Sequence, residues 1–364
     1  MIGYYLHHQG SGHRRRATAV ARRTRHAVTG LGSGPAPAGW PGAWVELARD
    51  DHPAVDPEVA DVTARDVLHW APLHHEGLLR RHRQLLAWLE LARPELLVVD
   101  VSVEVSLLAR LCGVPVVVGG MPGRRTDAVH ALAYDVAEAI LAPWPPGAHP
   151  RPDWPDRWRD KTWEVGGISA LGDAPPSRPR DPADEPDEGG RRVLVVWGAG
   201  GDPLRGEQLE EARTATPGWT WEVRGGSHPS SPDLLADLTR ADVVVCHAGQ
   251  GAVADVALAR RPAVVLAQPR PFDEQTATAE ALAGLGLAAT GHGWPAGDEW
   301  PELLAHALEL GGEGWSRWGE DAAGVAAAHL DDLADSFAPA AGTRPAVASR
   351  LPWSSTARAE EDLA

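Results

Sequence analysis

The clearest chemistry in this chain of 364 residues lies between positions 242 and 275. An apolar run, 242–246, ends in His247-Ala248-Gly249-Gln250-Gly251, and a helical pattern follows. Glycines at a strand-to-helix turn let another group come close to the backbone. The first helical turn leaves N–H groups without intrahelical partners, which favours an anion such as a diphosphate. Asp255, further along the same helix, offers a carboxylate that can accept two hydrogen bonds from a ribose diol. A second strand-to-helix turn brings Asp273, Glu274 and Gln275 together. Carboxylates and an amide suit sugar hydroxyls, which donate and accept at once. Each piece also has a plainer reading: Gly-x-Gly as a tight turn, Asp near a helix start as a response to the helix dipole. The specific feature is their order along the chain.

A second candidate cluster follows the first apolar run: His7-His8-Gln9-Gly10-Ser11-Gly12-His13-Arg14. An imidazole titrates near neutral pH, so His13 is a candidate general base. Its plainer reading is a helix-start residue bonded to backbone. His7, His8 and His13 lack the i, i+4 spacing of a zinc-binding helix and have no Cys pair nearby, so no metal site is expected. The chain also lacks the Asp-x-Asp that would hold a divalent ion on a diphosphate. Trp197-Gly198-Ala199-Gly200-Gly201-Asp202 is glycine-rich but fails the G-x-G-x-x-G spacing. Asp100, Ser102 and Glu104 follow a buried apolar run, where Ser102 suits a helix cap.

Taken together, His-x-Gly-x-Gly, a carboxylate within the helix, then Arg261-Pro262-Ala263-Val264-Val265 through Pro269, then Asp-Glu-Gln, resembles the donor-binding signature of GT-B glycosyltransferases, in particular family 28. Gly10-Ser11-Gly12-His13 resembles that family's amino-terminal loop on the acceptor side. The resemblance implies roles for matching positions. Gly200, Gly201, His247, Gly249, Gln250 and Gly251 would meet the donor diphosphate and ribose. Asp255 would stand where the family carries a ribose-binding Glu. Asp273, Glu274 and Gln275 would touch the transferred sugar, and His13 would serve the acceptor hydroxyl or the phosphates. It implies inverting, metal-independent transfer of a hexose or N-acetylhexosamine from a nucleotide-diphosphate sugar, UDP-linked by expectation, with no further cofactor. Two departures stand out: Ala252 removes a hydroxyl the family often has there, and Asp255 is one methylene short of Glu. They keep open a nucleotide-sugar 2-epimerase or hydrolase using Asp100, Glu104 and His13, and a non-catalytic nucleotide-binding or auxiliary protein.

The elements that must position these residues read as α/β throughout. Apolar runs at 2–6, 43–47, 96–99, 114–118 and 139–142 alternate with helical patterns at 13–29, 78–92 and 102–111. A Pro- and acid-rich stretch, 172–190, reads as a linker. A second series then sets runs at 192–197, 219–223, 242–246 and 263–266 against helices at 232–239, 250–259, 273–285, 299–310 and 317–337. Continuous apolar runs suit strands buried on both faces of a parallel sheet. The expected fold is two Rossmann-like, doubly wound parallel-sheet domains facing a cleft. The acceptor domain is expected at 1–171 and the nucleotide-sugar domain at 191–337, with a disordered tail at 338–364.

Composition sets outer limits. The net charge is −16, from 34 basic and 50 acidic residues, so no global basic field exists to hold nucleic acid. Two cysteines, Cys112 and Cys246, make neither a disulfide scaffold nor a zinc site and suit the cytoplasm. Arg14, Arg15, Arg16, Arg22, Arg23 and Arg25 make the first helix basic. The plain reading is a solvated face. The sharper one is attraction to an anionic acceptor, or to lipid headgroups at the inner membrane face. The acceptor itself, small molecule, glycan or lipid-linked, is open.

Overall fold

A computed structural model describes residues 1–7, 11–150, 153–172, 177–179, 190–198 and 202–338. Of the candidate positions, Gly10, Gly200 and Gly201 lie outside the described residues, as do His8, most of the linker and the tail beyond 338. The first sheet takes β1 (Ile2–Leu6), β2 (Val28–Gly32), β3 (Trp44–Glu46), β4 (Leu96–Asp100), β5 (Val116–Gly119), β6 (Ala139–Ala142) and β7 (Thr162–Glu164). With it come α1 (Ser11–Ala21), α2 (Pro57–Ala60), α3 (Glu76–Ala92), α4 (Val103–Leu111), α5 (Ala128–Val136) and α6 (Asp156–Arg159). The second sheet takes β8 (Arg191–Val196), β9 (Trp219–Arg224), β10 (Val243–His247), β11 (Ala263–Ala267) and β12 (Ala289–His292). Its helices are α7 (Gly206–Ala215), α8 (Leu234–Arg240), α9 (Gln250–Ala259), α10 (Glu274–Gly284) and α11 (Trp300–Leu310), and α12 (Ala322–Phe337) is the last described element.

Both sheets are parallel throughout. The orders are β3-β2-β1-β4-β5-β6-β7 and β12-β11-β10-β8-β9. Strand order reverses between β1 and β4 in the first sheet and between β8 and β10 in the second. Open parallel sheets take ligands outside the carboxyl ends of the strands at such reversals. His13 follows β1 and Asp100 ends β4, while His247 ends β10 ahead of Gly249–Gly251. The topology therefore sends both candidate clusters to the places where the fold can hold a ligand.

Side-chain alternation along the strands builds a core on each face. In β1, Ile2, Tyr4 and Leu6 join α1 and α12, while Tyr5 joins α3, α4 and α5 on the other side. At Gly3 an added Cβ would stand 2.5 Å from the Trp88 ring, so only glycine leaves room for that tryptophan. In the second sheet, Val193, Val195 and Trp197 pack with Trp221, Trp300 and Leu304 on one face. Leu194, Val244 and Cys246 pack with Val253 and Leu282 on the other. Burial pushes the Cys246 thiol up to about 12, with Asp255 adding to the effect. Among the described residues no helix is long and apolar enough to cross a membrane.

Two expectations are corrected. The helix expected over 13–29 stops at Ala21, and β2 follows. Thr24 Oγ1 donates to Ala21 O, and the N–H groups of Arg25 and His26 leave the helical pattern to meet Asp331. Gly30 hides a strand, since an added Cβ would meet the Trp44 ring at 2.3 Å. The last helix was expected with the second domain, up to residue 337. Instead Ala326, Leu330 and Ala334 of α12 pack with Ile2, Val20 and Val28 on the first sheet.

Asp331 fixes that return. It is 2% exposed, and its carboxylate accepts from Arg25 N at 2.8 Å and from His26 N at 3.3 Å. Asp331→Ala leaves both N–H groups without this partner. We expect a loss of about 1–3 kcal/mol, read as a lower midpoint of urea unfolding, with Asp331→Asn falling between.

Candidate functional site

The site starts from Asp100, 1% exposed at the carboxyl end of β4. Its Oδ2 lies 3.0 Å from His13 Nδ1, and its Oδ1 accepts from Arg16 at 2.6 Å. His13 and Arg16 are three residues apart on α1, so one helical face presents both. Burial alone would raise the Asp100 carboxyl. The Arg16 and His13 charges and hydrogen bonds overcome it and hold the group well below the usual carboxylate range. Ionised Asp100 is an acceptor only, so it selects the His13 tautomer with the proton on Nδ1 and leaves the Nε2 lone pair free to act as a base. Gly119, ending the neighbouring β5, makes room for this: a Cβ there would lie 2.9 Å from Asp100 Oδ1. The residue after Asp100, Val101, sits at φ +65°, a strained value for a β-branched side chain.

Arg16 also crosses the cleft. Its second terminal nitrogen donates to Gln250 Oε1 at 2.7 Å. Gln250 opens α9, capped by Gly249 in extended conformation. At Gly249 and Gly251 an added Cβ would meet no atom of the described residues within 4 Å. Along the flank of α9, Ala254, Ala257 and Leu258 line a cavity of about 1050 Å³ between the sheets. The opposite wall is α1, with Arg14, Arg15 and Thr18, and the end wall holds Trp197, Gly198 and residues 224–226. Six arginines line this cavity (Arg14, Arg15, Arg22, Arg23, Arg224, Arg260) against two acids, Glu320 and Asp321, in a protein of net charge −16. The first helix is thus more than a solvated face. Arg14 lies over Trp44, and Arg22 donates to Gly39 O.

Asp255 does not stand open for a ribose. It is 7% exposed, and its Oδ1 accepts from the Ser169 hydroxyl at 2.6 Å and from Ala170 N at 3.1 Å. It anchors the segment 169–172, which itself lines the cavity. His247 packs against Trp197, ring centroids 3.7 Å apart, and its Nε2 is buried without a partner. Burial and Arg270 bring its imidazole down to about 4, so it is neutral at pH 7. Glu104, weighed as a cleft carboxylate for the epimerase alternative, instead accepts from the backbone of His69 and Trp70.

The sugar-side trio also meets the first domain. Glu274 pairs with Arg125 at 3.3 Å and Asp273 with Arg124 at 3.4 Å, while Gln275, 5% exposed, accepts from Gln268 N at 3.0 Å. Arg125 lies over the Phe272 ring at 4.6 Å and 3.0 Å from His130 Nε2, whose Nδ1 is 2.6 Å from Asp127 Oδ2. His69, Asp127 and His130 place their ligand atoms within 4.8 Å of one another. Both His130 nitrogens are engaged, however, and a guanidinium beside them opposes a cation. The set fits a hydrogen-bonded cluster better than a metal centre. Arg125 and Ser169 were missed in the sequence, and Arg16 was read there only as part of the basic first helix. Only Arg16 had a signal there, three residues after His13.

Residues 227–291 match the glycosyltransferase family 28 C-terminal domain. No curated protein matches the chain by sequence. The fold is similar to that of MurG from Acinetobacter baumannii: TM-score 0.59, 18% identity, 92% of this chain and 99% of that one covered. The glycosyltransferase SnogD from Streptomyces nogalater aligns with TM-score 0.59, 19% identity and coverage of 92% and 99%. Spinosyn rhamnosyltransferase SpnG, solved with thymidine diphosphate, aligns with TM-score 0.56, 18% identity and coverage of 92% and 96%. The chain thus has the two-sheet GT-B architecture of these proteins, and its residues 227–291 match the family 28 C-terminal domain.

Proposed function

We propose that the protein transfers a glycosyl group from a nucleotide-diphosphate sugar to an acceptor hydroxyl, with inversion. The observation that carries this reading is the hydrogen-bonded set in which Asp100 holds both His13 and Arg16 and Arg16 reaches Gln250, joining a base on one sheet to a helix N-terminus on the other. The matched family 28 segment and the likeness to SpnG with its thymidine diphosphate support a nucleotide donor. The nucleoside occupies the 1050 Å³ cavity, beside Trp197 and residues 224–226. Its diphosphate meets the amides of Gly249, Gln250 and Gly251 at the start of α9, within an arginine-rich wall. Asp273 and Glu274 border the sugar end.

In the reaction, His13 Nε2 takes the acceptor proton as the acceptor oxygen bonds to the anomeric carbon. The bond from that carbon to the diphosphate oxygen breaks, and the electron pair leaves with the nucleoside diphosphate. Helix amides and arginine stabilise the leaving charge. Asp100 holds the imidazolium while it lasts. Asp100 stays ionised below the usual carboxylate range, so its protonation does not limit activity near neutral pH. By the same sign, the stabilisation from Asp100 is present above that range and disappears only as pH falls through its depressed value.

Two measurements test this. Asp100→Asn keeps the shape but loses the tautomer control. Turnover should fall about 10³–10⁴-fold while UDP or TDP binding by calorimetry stays near wild type. Unchanged turnover in Asp100→Asn or His13→Gln would overturn the base assignment. Gly119→Ala pushes a methyl against Asp100 and should lower turnover roughly 10–100-fold through misplacement alone, with the unfolding midpoint little changed.

A further inference from the structure

Arg16 and Gln250 hold an imbalance that the reaction above does not use. The Arg16 guanidinium, 11% exposed, spends one terminal nitrogen on the anionic Asp100 and the other on a neutral amide oxygen. The other end of that amide, Gln250 Nε2, is buried with no hydrogen-bond partner. A buried N–H without an acceptor costs free energy, and a cation bonded to a neutral oxygen forgoes the stronger bond that an anionic oxygen would give. Both deficits lie at the start of α9. One anionic oxygen placed there would meet both.

The same guanidinium lies 3.2 Å from His13 Nδ1. The charged and titratable groups facing this pair are Asp100 at the end of β4, Tyr4 on β1 and Glu274 at the start of α10. A carboxylate beside an imidazole favours the imidazolium, and a guanidinium beside it disfavours it. An anion that engages Arg16 reduces that opposition and leaves Asp100 to dominate.

We propose that Arg16 and Gln250 form a two-donor seat for a phosphate oxygen of the donor, and that filling the seat makes His13 a stronger base. Arg16 is then a positioning residue that ties proton acceptance to donor occupancy. The inference rests on the glycosyl-transfer reading for the identity of the anion. The link between Arg16 and His13 rests on geometry alone.

The test follows His13 directly by histidine-edited NMR titration, with His13→Gln assigning the signal, alongside calorimetry with UDP and with inorganic pyrophosphate. Adding UDP to the wild type should raise the His13 titration midpoint. Gln250→Glu places a carboxylate against Arg16. It should raise that midpoint by about one pH unit without nucleotide, and weaken UDP and pyrophosphate binding at least about tenfold. Gln250→Ala should weaken both ligands several-fold and leave the unliganded midpoint unchanged. Arg16→Gln should raise the midpoint as Gln250→Glu does. If the lone Asp100 charge prevents Arg16→Gln from folding, the Gln250 pair still decides. An unmoved His13 midpoint in Gln250→Glu overturns the coupling, and full pyrophosphate affinity in Gln250→Ala overturns the seat. If wild type binds no nucleotide, the glycosyl-transfer reading fails, while the Gln250→Glu shift still reports on Arg16 and His13.

Discussion

The site depends on one buried carboxylate. Asp100 sits at the end of a strand buried along its whole length, with hardly any water to solvate its charge. Such a group stays ionised only when cations and donors replace that water. Arg16 and His13 do this, one on each oxygen. The arrangement therefore fixes more than a pair. It sets the rotation of α1 over the sheet, the tautomer of His13 and the glycine at position 119, because each alternative leaves a charge stranded or a methyl in the way.

From that point the acidic balance of the chain makes sense. Arginines are few relative to acids, yet six line the cavity between the sheets. Several are tied to acids at the rim, as Arg23 is to Asp321 and Arg260 to Glu320. A cleft that concentrates cations within an acidic surface draws anionic ligands inward while the exterior repels them. The charge that matters for binding is local, and the net value of −16 conceals it.

The sequence showed the outline of the fold well and the contacts across the cleft poorly. Apolar runs such as 96–99 and 242–246 could only be buried strands, and the structure puts β4 and β10 there. The His13 loop and the start of α9 were legible because strand-to-helix turns leave glycines in the chain. β2 was not, since its glycines leave only Val28 and Leu31 as buried apolar side chains, and Trp40 and Trp44 from outside the strand pack where Gly30 leaves room. The role of Asp255 was misjudged for a related reason. A carboxylate on a donor helix looks available until the partner 86 positions earlier, Ser169, is in view. Arg125 carries no pattern of its own, and Arg16 only its place in the basic helix three residues after His13; the partners that give them meaning, Glu274 and Asp100, are distant in sequence.

The two arginine bridges across the cleft differ in kind, and the difference bears on how the domains can move. Arg125 meets a full charge, Glu274, beneath Phe272, and Arg124 N donates to Phe272 O at 2.7 Å. Gly123 is held at φ +85°, where a Cβ would stand 2.0 Å from that same carbonyl. This contact is close, paired and sterically demanding. Across the cleft Arg16 meets a neutral amide whose nitrogen is buried without a partner. Separating the sheets at the first bridge exposes two charges that must be resolvated. At the second it costs one hydrogen bond to a neutral oxygen, while Arg16 keeps its pairing with Asp100. The cleft is therefore bound more tightly at the Phe272 end and held lightly at the start of α9, the end where an incoming anion has most to gain.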